Sequence, residues 1–459
     1  MYLYTIFRLV HMFVLDSSFY LRVLSYIRKN MQYYKIFRFG DPMICARDKY
    51  LDRLVSRKHN GLIKVITGVR RCGKSYLLFE LFYDHLRGSG VDEGHILRMA
   101  LDSFENRAYC DVEKLHKWIL DNIRDDDIHY ILLDEIQLAN GFEMLMNSLL
   151  RMHNVDVYVT GPNSRYLSSD IITEFRGRTD EVRIRPLSFS EYVKAYDGDR
   201  YEALDEYLTY GGLPELLHFR TDEQKATYLD QILNATYLLD IKERKDVRLP
   251  YVLDNIMDVL SSSIGSLVNV TNIKNTMIST GYKGADEDTI TKYIGYLEDA
   301  YLFEICKRYD IKGRKHISST RKYYPVDHGL TNARLNFRQM SDRPQIMETI
   351  IYNELRSRGF EVDVGEIACR KNDGEKMALV HHEVDFIARM GSRSIYIQSV
   401  FRMDDPDKKE QKLRPLMRIR DSFKKVIILG DSMKPHYNDD GILFIGLIQF
   451  LMDENSLNF

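Results

Sequence analysis

The chain has 459 residues, a hydrophobic content of 44% and a formal net charge of −2. This length predicts two to four domains, and the hydrophobic content is ample for packed cores. The near-neutral balance excludes a global attraction to nucleic acid or membrane, so any basic surface must be local. The five cysteines are scattered without metal-binding spacing, which favours reduced thiols and a cytoplasmic location.

Residues 1–44 are predicted to be an N-terminal extension. The first 15 residues are aromatic and aliphatic, but Arg8 and His11 interrupt them, and the stretch is too short to span a membrane. A basic start and a small-residue cleavage site are missing, so a signal peptide is not expected. Two interpretations stay open: a peripheral amphipathic helix, or an over-extended start with initiation at Met31 or Met43.

A phosphate-binding pattern, Gly-x-x-x-x-Gly-Lys-Ser, occupies residues 68–75. An apolar β-type run precedes it and a helical pattern follows it, as such a loop requires. The glycines allow a tight turn whose N–H groups can point at phosphate oxygens, and the helix adds the positive end of its dipole. Lys74 is expected to reach the β- and γ-phosphates, and Ser75 to hold Mg²⁺. The residues expected to contact ATP are Gly68, Val69, Arg70, Arg71, Cys72, Gly73, Lys74, Ser75 and Tyr76.

A second element of a nucleotide site follows in Tyr130-Ile131-Leu132-Leu133-Asp134-Glu135. Four apolar residues predict a buried strand with two carboxylates at its C-terminal end, the edge where parallel α/β sheets bind ligands. We expect Asp134 to bind Mg²⁺ and Glu135 to orient and polarise the attacking water. Successive strand residues point in opposite directions, so the two carboxylates can take different roles. The pair indicates hydrolysis of the nucleotide as well as binding.

Two further candidates lie near the end of this region. Asn163 or Ser164, after the strand 155–160, is the candidate sensor of the γ-phosphate, and the alternative is an ordinary turn before a helix. Arg178, in the sequence Arg176-Gly177-Arg178, precedes the last strand. It is the candidate that stabilises transition-state charge, in cis or across a subunit interface, and the alternative is a solvated loop arginine.

The order of strand and helix patterns predicts an α/β fold with several parts. Alternating strands and helices indicate a doubly wound parallel sheet of the P-loop NTPase type, followed by helices and a smaller α/β unit. The predicted divisions are the ATPase domain 45–186, a helical subdomain 187–249, a winged-helix-like domain 250–340 and a C-terminal domain 341–459.

The winged-helix interpretation rests on a short helix at 288–297 and a basic hairpin at 307–322. The hairpin holds seven Lys or Arg residues and one acidic residue. Such a patch can neutralise the phosphates of double-stranded DNA. The alternative is a basic edge strand that keeps the protein soluble.

An ordered series of motifs resembles a widespread prokaryotic family, AAA-superfamily ATPases of the archaeal-type branch fused to a C-terminal domain of unknown function. The resemblance covers about residues 45–450. It implies an AAA-type core, a winged-helix segment and a restriction-endonuclease-like C-terminal fold. The family usually carries Gly-Ser-Asn-Ser after the fourth strand; Pro162 replaces the first serine here and leaves Asn163 in place. Besides the phosphate loop with the preceding Ile66-Thr67, the motifs are Leu133-Asp134-Glu135-Ile136-Gln137, Thr160-Gly161-Pro162-Asn163-Ser164, Arg176-Gly177-Arg178, Pro186-Leu187-Ser188-Phe189-Ser190-Glu191, Tyr210-Gly211-Gly212-Leu213-Pro214-Glu215, Tyr309-Asp310-Ile311-Lys312-Gly313 and Tyr323-Tyr324-Pro325-Val326-Asp327-His328-Gly329-Leu330.

Nucleases of that C-terminal fold place one acid on a strand and an acid-x-Lys on the next, to hold a metal and assist the attacking water. Asp385 fits the first position, and Glu348 on the preceding helix is a further carboxylate. Gln398 and Val400 stand where the second acid and the lysine belong. The sequence therefore predicts that nuclease activity is absent.

Together these features predict a cytoplasmic ATPase that uses ATP and Mg²⁺ and whose nucleotide cycle controls a DNA- or protein-binding C-terminal half. Expected partners are double-stranded DNA at 307–322, an unknown protein and further copies of the chain, without a membrane span. Two alternatives stay open: a nucleotide-gated DNA-binding or signalling scaffold with negligible turnover, and an ATP-dependent nuclease.

Overall fold

A computed structural model describes most of the chain after its first 44 residues. The described residues are 45–161, 177–245, 247–279, 281–282, 285–338, 343–373, 376–402 and 406–458.

The first half is built on a sheet of five parallel strands in the order β2-β3-β4-β1-β5. Its strands are β1 (Ile63–Gly68), β2 (Ile96–Ala100), β3 (His129–Asp134), β4 (Val155–Thr160) and β5 (Thr179–Ile184). Its helices are α1 (Asp48–Val55), α2 (Lys74–Tyr76, continuing through a π-helical stretch Leu77–Phe82 into Tyr83–Gly88), α3 (Val112–Asn122) and α4 (Phe142–Leu149). The predicted parallel α/β sheet is confirmed, and β4 has the bounds expected for the strand 155–160.

Alternate residues of these strands enter two different cores, as the twofold period of a strand requires. Ile66, Leu132 and Tyr158 pack against α1 and α2 on one face. Val65 and Leu133 pack against α3 and α4 on the other. Helices therefore cover both faces, and the functional edge of the sheet is left to the loops that follow the strands.

Helices follow the sheet, as predicted from residue 187 onward. Their bounds are α5 (Phe189–Ala195), α6 (Arg200–Tyr210), α7 (Asp222–Gln231, continuing through a π-helical stretch Ile232–Leu238 into Leu239–Arg244), α8 (Pro250–Ser262), α9 (Val270–Ser279) and α10 (Glu287–Asp299). One hydrophobic core runs from the α2 face of the sheet through α7 and α8 to α10. The boundaries expected at 187 and 250 therefore separate segments that share a core.

The C-terminal half contains a second sheet, of eight mixed strands in the order β12-β13-β11-β10-β9-β8-β6-β7. Its strands are β6 (Phe303–Asp310), β7 (Lys315–Pro325), β8 (Glu361–Asp373), β9 (Lys376–Met390), β10 (Arg393–Val400), β11 (Lys424–Leu429), β12 (His436–Tyr437) and β13 (Leu443–Gly446). The accompanying helices are α11 (His328–Arg334), α12 (Arg343–Ser357), α13 (Pro406–Met417) and α14 (Leu447–Met452).

The basic hairpin is not a free-standing wing. Its strand β6 pairs in parallel with β8 from Arg308 opposite Val364 to Asp310 opposite Glu366. This pairing satisfies edge N–H and C=O groups that a projecting wing would leave to solvent or DNA. The boundary expected at residue 341 therefore falls between strands of one sheet.

Two of the recognised motifs lock α6 to the start of α11. Gly211 has φ of +85°, and a Cβ placed there would lie 2.2 Å from Oδ1 of Asp327. The N–H of Gly212 donates to Oδ2 of Asp327 at 2.8 Å. These glycines are therefore required for close packing and not for chemistry. No helix among the described residues is long and apolar enough to cross a bilayer.

Candidate functional site

The phosphate loop connects β1 to α2 at the C-terminal edge of the first sheet. Gly68 has φ of +148° and Gly73 has φ of +93°. A Cβ on Gly68 would lie 2.3 Å from the carbonyl oxygen of Ile184, so this position accepts only glycine. Val69 and Cys72 are buried, at 1% and 0% exposure, and can offer a nucleotide only their backbone N–H groups.

Lys74 is held inside the loop by the loop's own backbone. Its ammonium donates to the carbonyl oxygens of Gly68 at 3.1 Å and Val69 at 3.2 Å, and the residue is 6% exposed. A buried cation in a glycine-containing loop at the start of a helix suits the negative charge of a phosphate chain. These residues therefore fit a nucleoside triphosphate.

The two arginines of the loop point away from it, towards the helical segment. Arg70 forms an ion pair with Asp240 at 2.8 Å, and Arg71 with Glu215 at 3.5 Å. The Tyr237 hydroxyl donates to the carbonyl of Arg70 at 2.5 Å. No sequence pattern indicated these contacts, because the partners are far apart along the chain and are of residue types common on any helix surface.

Asp134 ends β3 at the edge where the phosphate loop lies. The Thr160 hydroxyl, at the end of β4, donates to Asp134 and accepts the N–H of Glu135 at 3.0 Å. Burial raises the pKa of the Asp134 carboxyl, while hydrogen bonds from Thr160 and Ser75 oppose that rise. The hydrogen bond between Ser75 and Asp134 brings the two expected metal ligands together. Two such oxygen ligands suit Mg²⁺.

Glu135 leaves the end of β3 through a left-handed turn. Its φ is +53°, in a region that non-glycine residues seldom adopt. Its carboxylate accepts a hydrogen bond from the side-chain amide of Gln137. Neither Thr160 nor Gln137 was among the sequence candidates, although a hydroxyl at the end of a neighbouring strand is a signal that could have identified Thr160.

Of the two remaining ATPase candidates, the structure describes only Arg178, which lies away from this edge. Asn163 lies outside the described residues. Arg178 is exposed and stands beside the start of β1, since its carbonyl accepts the N–H of Ile63 at 3.1 Å. The loop leaves the other end of β1, about 17 Å away for five strand residues. Arg178 therefore cannot act in cis, and only its role across a subunit interface stays open.

In the C-terminal sheet, Asp385 on β9 and Gln398 on β10 lie on adjacent antiparallel strands, as expected from the match to the nuclease motif. In the structure, a lysine outside the nuclease motif lies beside Asp385. Lys412 on α13 donates to both carboxylate oxygens of Asp385, at 3.0 and 2.9 Å. Val400 itself is buried at 6% exposure.

The charges around Asp385 compensate one another. Lys322, 1% exposed, bonds Glu348 at 3.0 Å and Glu383 at 2.7 Å. Burial opposes the ionisation of Asp385, but the positive charges of Lys412 and Lys322 hold the pKa of this carboxyl below its ordinary value. The cluster borders a cleft of about 550 Å³ lined in part by Glu348 and Lys412.

The electrostatics of the expected DNA-binding elements are mixed. The solvent face of α10 carries Glu287 and Asp288 beside a single exposed lysine, Lys292, which does not suit a helix lying on phosphates. In the hairpin, Arg308 is paired with Glu366 and Lys322 is buried, as described above. The exposed basic side chains left in the hairpin are Lys307, Lys312, Arg314 and Lys315.

One further group of side chains has the composition of a metal site. Among the described residues, ligand atoms of His95, Asp125 and His129 lie within 4.8 Å of one another. Both ring nitrogens of His129 already have partners: the carbonyl of Asp127 at 2.8 Å and the N–H of Arg124 at 3.1 Å. A metal would have to displace the second of these bonds.

Family models match two consecutive parts of the chain. A model described as an AAA domain matches residues 60–193, and one described as a domain of unknown function matches residues 201–341. An uncharacterized protein of Haemophilus influenzae is 32% identical over 413 residues, which cover 89% of this chain and 98% of the relative. An uncharacterized protein of Methanocaldococcus jannaschii is 26% identical and covers 92% of each chain.

Solved structures resemble the chain only loosely. The Aeropyrum pernix Orc1 protein in complex with DNA has a TM-score of 0.27 at 14% identity, covering 66% of this chain and 95% of its own. The Vibrio cholerae protein VC1899 has a TM-score of 0.20 at 11% identity, covering 87% and 97% respectively.

Proposed function

This chain belongs to a family of P-loop ATPases with an AAA domain followed by a domain of unknown function, and we propose that it hydrolyses ATP to ADP and phosphate with Mg²⁺. The observation that carries the proposal is the hydrogen-bonded set Ser75, Asp134 and Thr160, at the same sheet edge as the buried Lys74. Phosphate binding and metal binding are thereby supported at one place.

The side chains divide the work between them. Lys74 binds the β- and γ-phosphates as a point charge, and Ser75 and Asp134 hold the cation. Mg²⁺ supplies neutralisation of the charge that develops on the phosphate oxygens. Glu135 orients a water molecule and takes its proton as the water oxygen bonds to the γ-phosphorus and the bond to ADP breaks.

We further propose that the nucleotide cycle controls the C-terminal half. The support is a chain of contacts from the phosphate loop to the second sheet. Thr67, beside the loop, donates to Glu181 on β5, and Glu181 also accepts the hydroxyl of Tyr301 at 3.2 Å. Next on the same strand, Arg183 forms an ion pair at 2.6 Å with Glu304 of β6. A shift of β1 against β5 would reach the second sheet through these contacts.

The target of the C-terminal half is proposed more broadly, as double-stranded DNA or a protein. The support for DNA is the exposed basic group Lys307, Lys312, Arg314 and Lys315. A homo-oligomer would allow Arg178 to act on a neighbouring nucleotide site. The five free cysteines, four of them buried, support the proposed cytoplasmic location.

The test is the rate of ATP hydrolysis by the purified chain in Mg²⁺, with and without double-stranded DNA. Turnover supports the ATPase, and stimulation by DNA supports DNA as the target. Tight ATP binding without turnover under either condition would identify the chain as a nucleotide-gated scaffold.

A further inference from the structure

Gln137 makes a contact that no step of the proposed hydrolysis yet uses. It lies in the short 3-10 turn Ile136–Leu138, directly after the expected base Glu135. Its side-chain nitrogen Nε2 donates to Oε2 of Glu135. The turn is fixed on both sides, since Ile136 and Ala139 are fully buried. Gln137 is therefore presented to Glu135 from a rigid support.

The orientation of the Gln137 amide follows from charge. Turning the amide over would place its oxygen against the carboxylate of Glu135, where two acceptors would repel each other. The orientation with Nε2 towards Glu135 is therefore the stable one. In this orientation the Gln137 oxygen Oε1 is buried and has no hydrogen-bond partner among the residues that the structure describes.

A buried acceptor without a partner is rare in proteins, so the presence of a glutamine at this position calls for a reason other than packing. Here the unpaired oxygen belongs to the same amide that holds the expected base. Glu135 also stands beside Asp134, whose negative charge repels it. The hydrogen bond from Gln137 holds the carboxylate of Glu135 in one orientation beside that neighbour.

We propose that Gln137 is a positioning residue for ATP hydrolysis, which fixes the carboxylate of Glu135 and does not itself contact the phosphates. The proposal rests on the proposed ATPase function and adds a residue to it. Loss of the amide lets Glu135 rotate away from the position from which it takes the proton. The rate of the chemical step then falls while nucleotide affinity is unchanged.

The test uses Gln137→Met, which keeps the length of the side chain and removes both amide atoms. Leu138→Met is the matched control, because it alters the adjacent, 39% exposed side chain of the same turn. Both variants are made in the wild-type and the Glu135→Gln chains. The measurements are single-turnover ATP hydrolysis, affinity for a fluorescent ATP analogue and the midpoint of thermal unfolding.

We expect Gln137→Met to slow hydrolysis by about 10-fold or more, the scale of one lost hydrogen bond to a charged group. Affinity and the unfolding midpoint should match those of Leu138→Met. In the Glu135→Gln chain the same change should have almost no further effect, since the group it positions is gone.

An unchanged rate in Gln137→Met overturns the proposal. An equal loss in the Glu135→Gln chain also overturns it, because Gln137 would then act independently of Glu135. Weaker ATP binding would make it a binding residue instead. If Gln137→Met lowers the unfolding midpoint, Gln137→Ala separates the effects: a slowed reaction at unchanged affinity supports positioning, and a normal rate contradicts it. Failure of the wild-type chain to hydrolyse ATP refutes the ATPase function itself, whereas wild-type turnover with a normal Gln137→Met rate refutes only this inference.

Discussion

Lys74 shows what a sequence can predict at the scale of one residue. The spacing of two glycines and a lysine specified the loop, and the structure places the ammonium among the loop carbonyls. The contacts of Thr160 with Glu135 and of Tyr237 with Arg70 were not predicted, because they join strands and helices that meet only in the folded chain. Local patterns therefore predict the residues of a loop, and long-range contacts decide what surrounds it.

Changing Lys74 to alanine should abolish or greatly weaken ATP binding, because the triphosphate loses its one positioned point charge. Calorimetric titration of the purified variant with ATP and Mg²⁺ measures this. Lys117→Ala, on the exposed surface of α3, is the control. Wild-type affinity in Lys74→Ala would rule out the phosphate-loop assignment.

Among elements, the contact between β5 and β6 is the main connection that the sequence did not predict. Glu304 on β6 is 8% exposed and is surrounded by Arg183, Arg185 and Arg356. Burial opposes the ionisation of Glu304, yet these arginines lower its pKa to about 2. The strands were predictable from their apolar pattern; the buried charges between them required the fold.

Changing Glu304 to glutamine should lower the free energy of unfolding by about 3–5 kcal/mol, the cost of leaving buried charges unpaired. Urea denaturation at pH 7, followed by circular dichroism, measures the loss. Glu361→Gln is the matched control, because it removes an 83% exposed partner of Arg356, for which about 0.5 kcal/mol or less is expected. Equal losses in the two variants would contradict the account.

The same carboxylate has a predictable dependence on pH. Its pKa falls from an ordinary 4.5 to about 2 on folding, so its stabilisation is complete above the ordinary value. That contribution is lost as the pH falls through about 2. The wild-type chain should therefore lose more stability than Glu304→Gln over this acid range.

The β6–β7 hairpin was predicted as an element, but its place in the sheet was not. The sequence pattern of a basic hairpin is the same whether the hairpin projects into solvent or pairs with another strand. This is because pairing between backbones does not require a particular pattern of side chains. Its pairing with β8 leaves Lys312 and Arg314 of the turn, and Lys315 at the start of β7, exposed.

Replacing Lys312, Arg314 and Lys315 with glutamine should weaken binding to double-stranded DNA and flatten its salt dependence. Each lost phosphate contact reduces the log–log slope by about 0.9. Fluorescence anisotropy over a series of salt concentrations measures the slope, with Lys114→Gln and Lys117→Gln together as the control. An unchanged slope, or no DNA binding by the intact chain at low salt, would contradict DNA binding at this turn.

At the scale of the whole molecule, residues Cys45–Phe459 form one compact unit in which two sheets share a helical layer. The order of strands and helices predicted the first sheet and the presence of a second. It did not predict that β6 and β7 join the second sheet, or that Lys412 reaches Asp385, since both depend on contacts between distant segments.

The C-terminal half should not cleave DNA. Asp385 is bound by Ser399 and Lys412, and the neutral Gln398 donates to the carbonyl of Glu383 at 2.9 Å, so a cation would have to displace a lysine. The measurement is incubation of the chain with plasmid and short duplexes in Mg²⁺ and Mn²⁺, beside an Asp385→Ala control. Cleavage that disappears in the control would establish the nuclease alternative.

The central claim is that this chain hydrolyses ATP with Glu135 as the base. Its most direct test is ATP turnover by the wild-type and Glu135→Gln chains in Mg²⁺, with nucleotide affinity measured on both. The account predicts wild-type turnover, and a loss of about 10²-fold or more in Glu135→Gln with ATP still bound, the scale of a lost general base. Turnover of Glu135→Gln at the wild-type rate, or none by the wild-type chain with or without DNA, would contradict it.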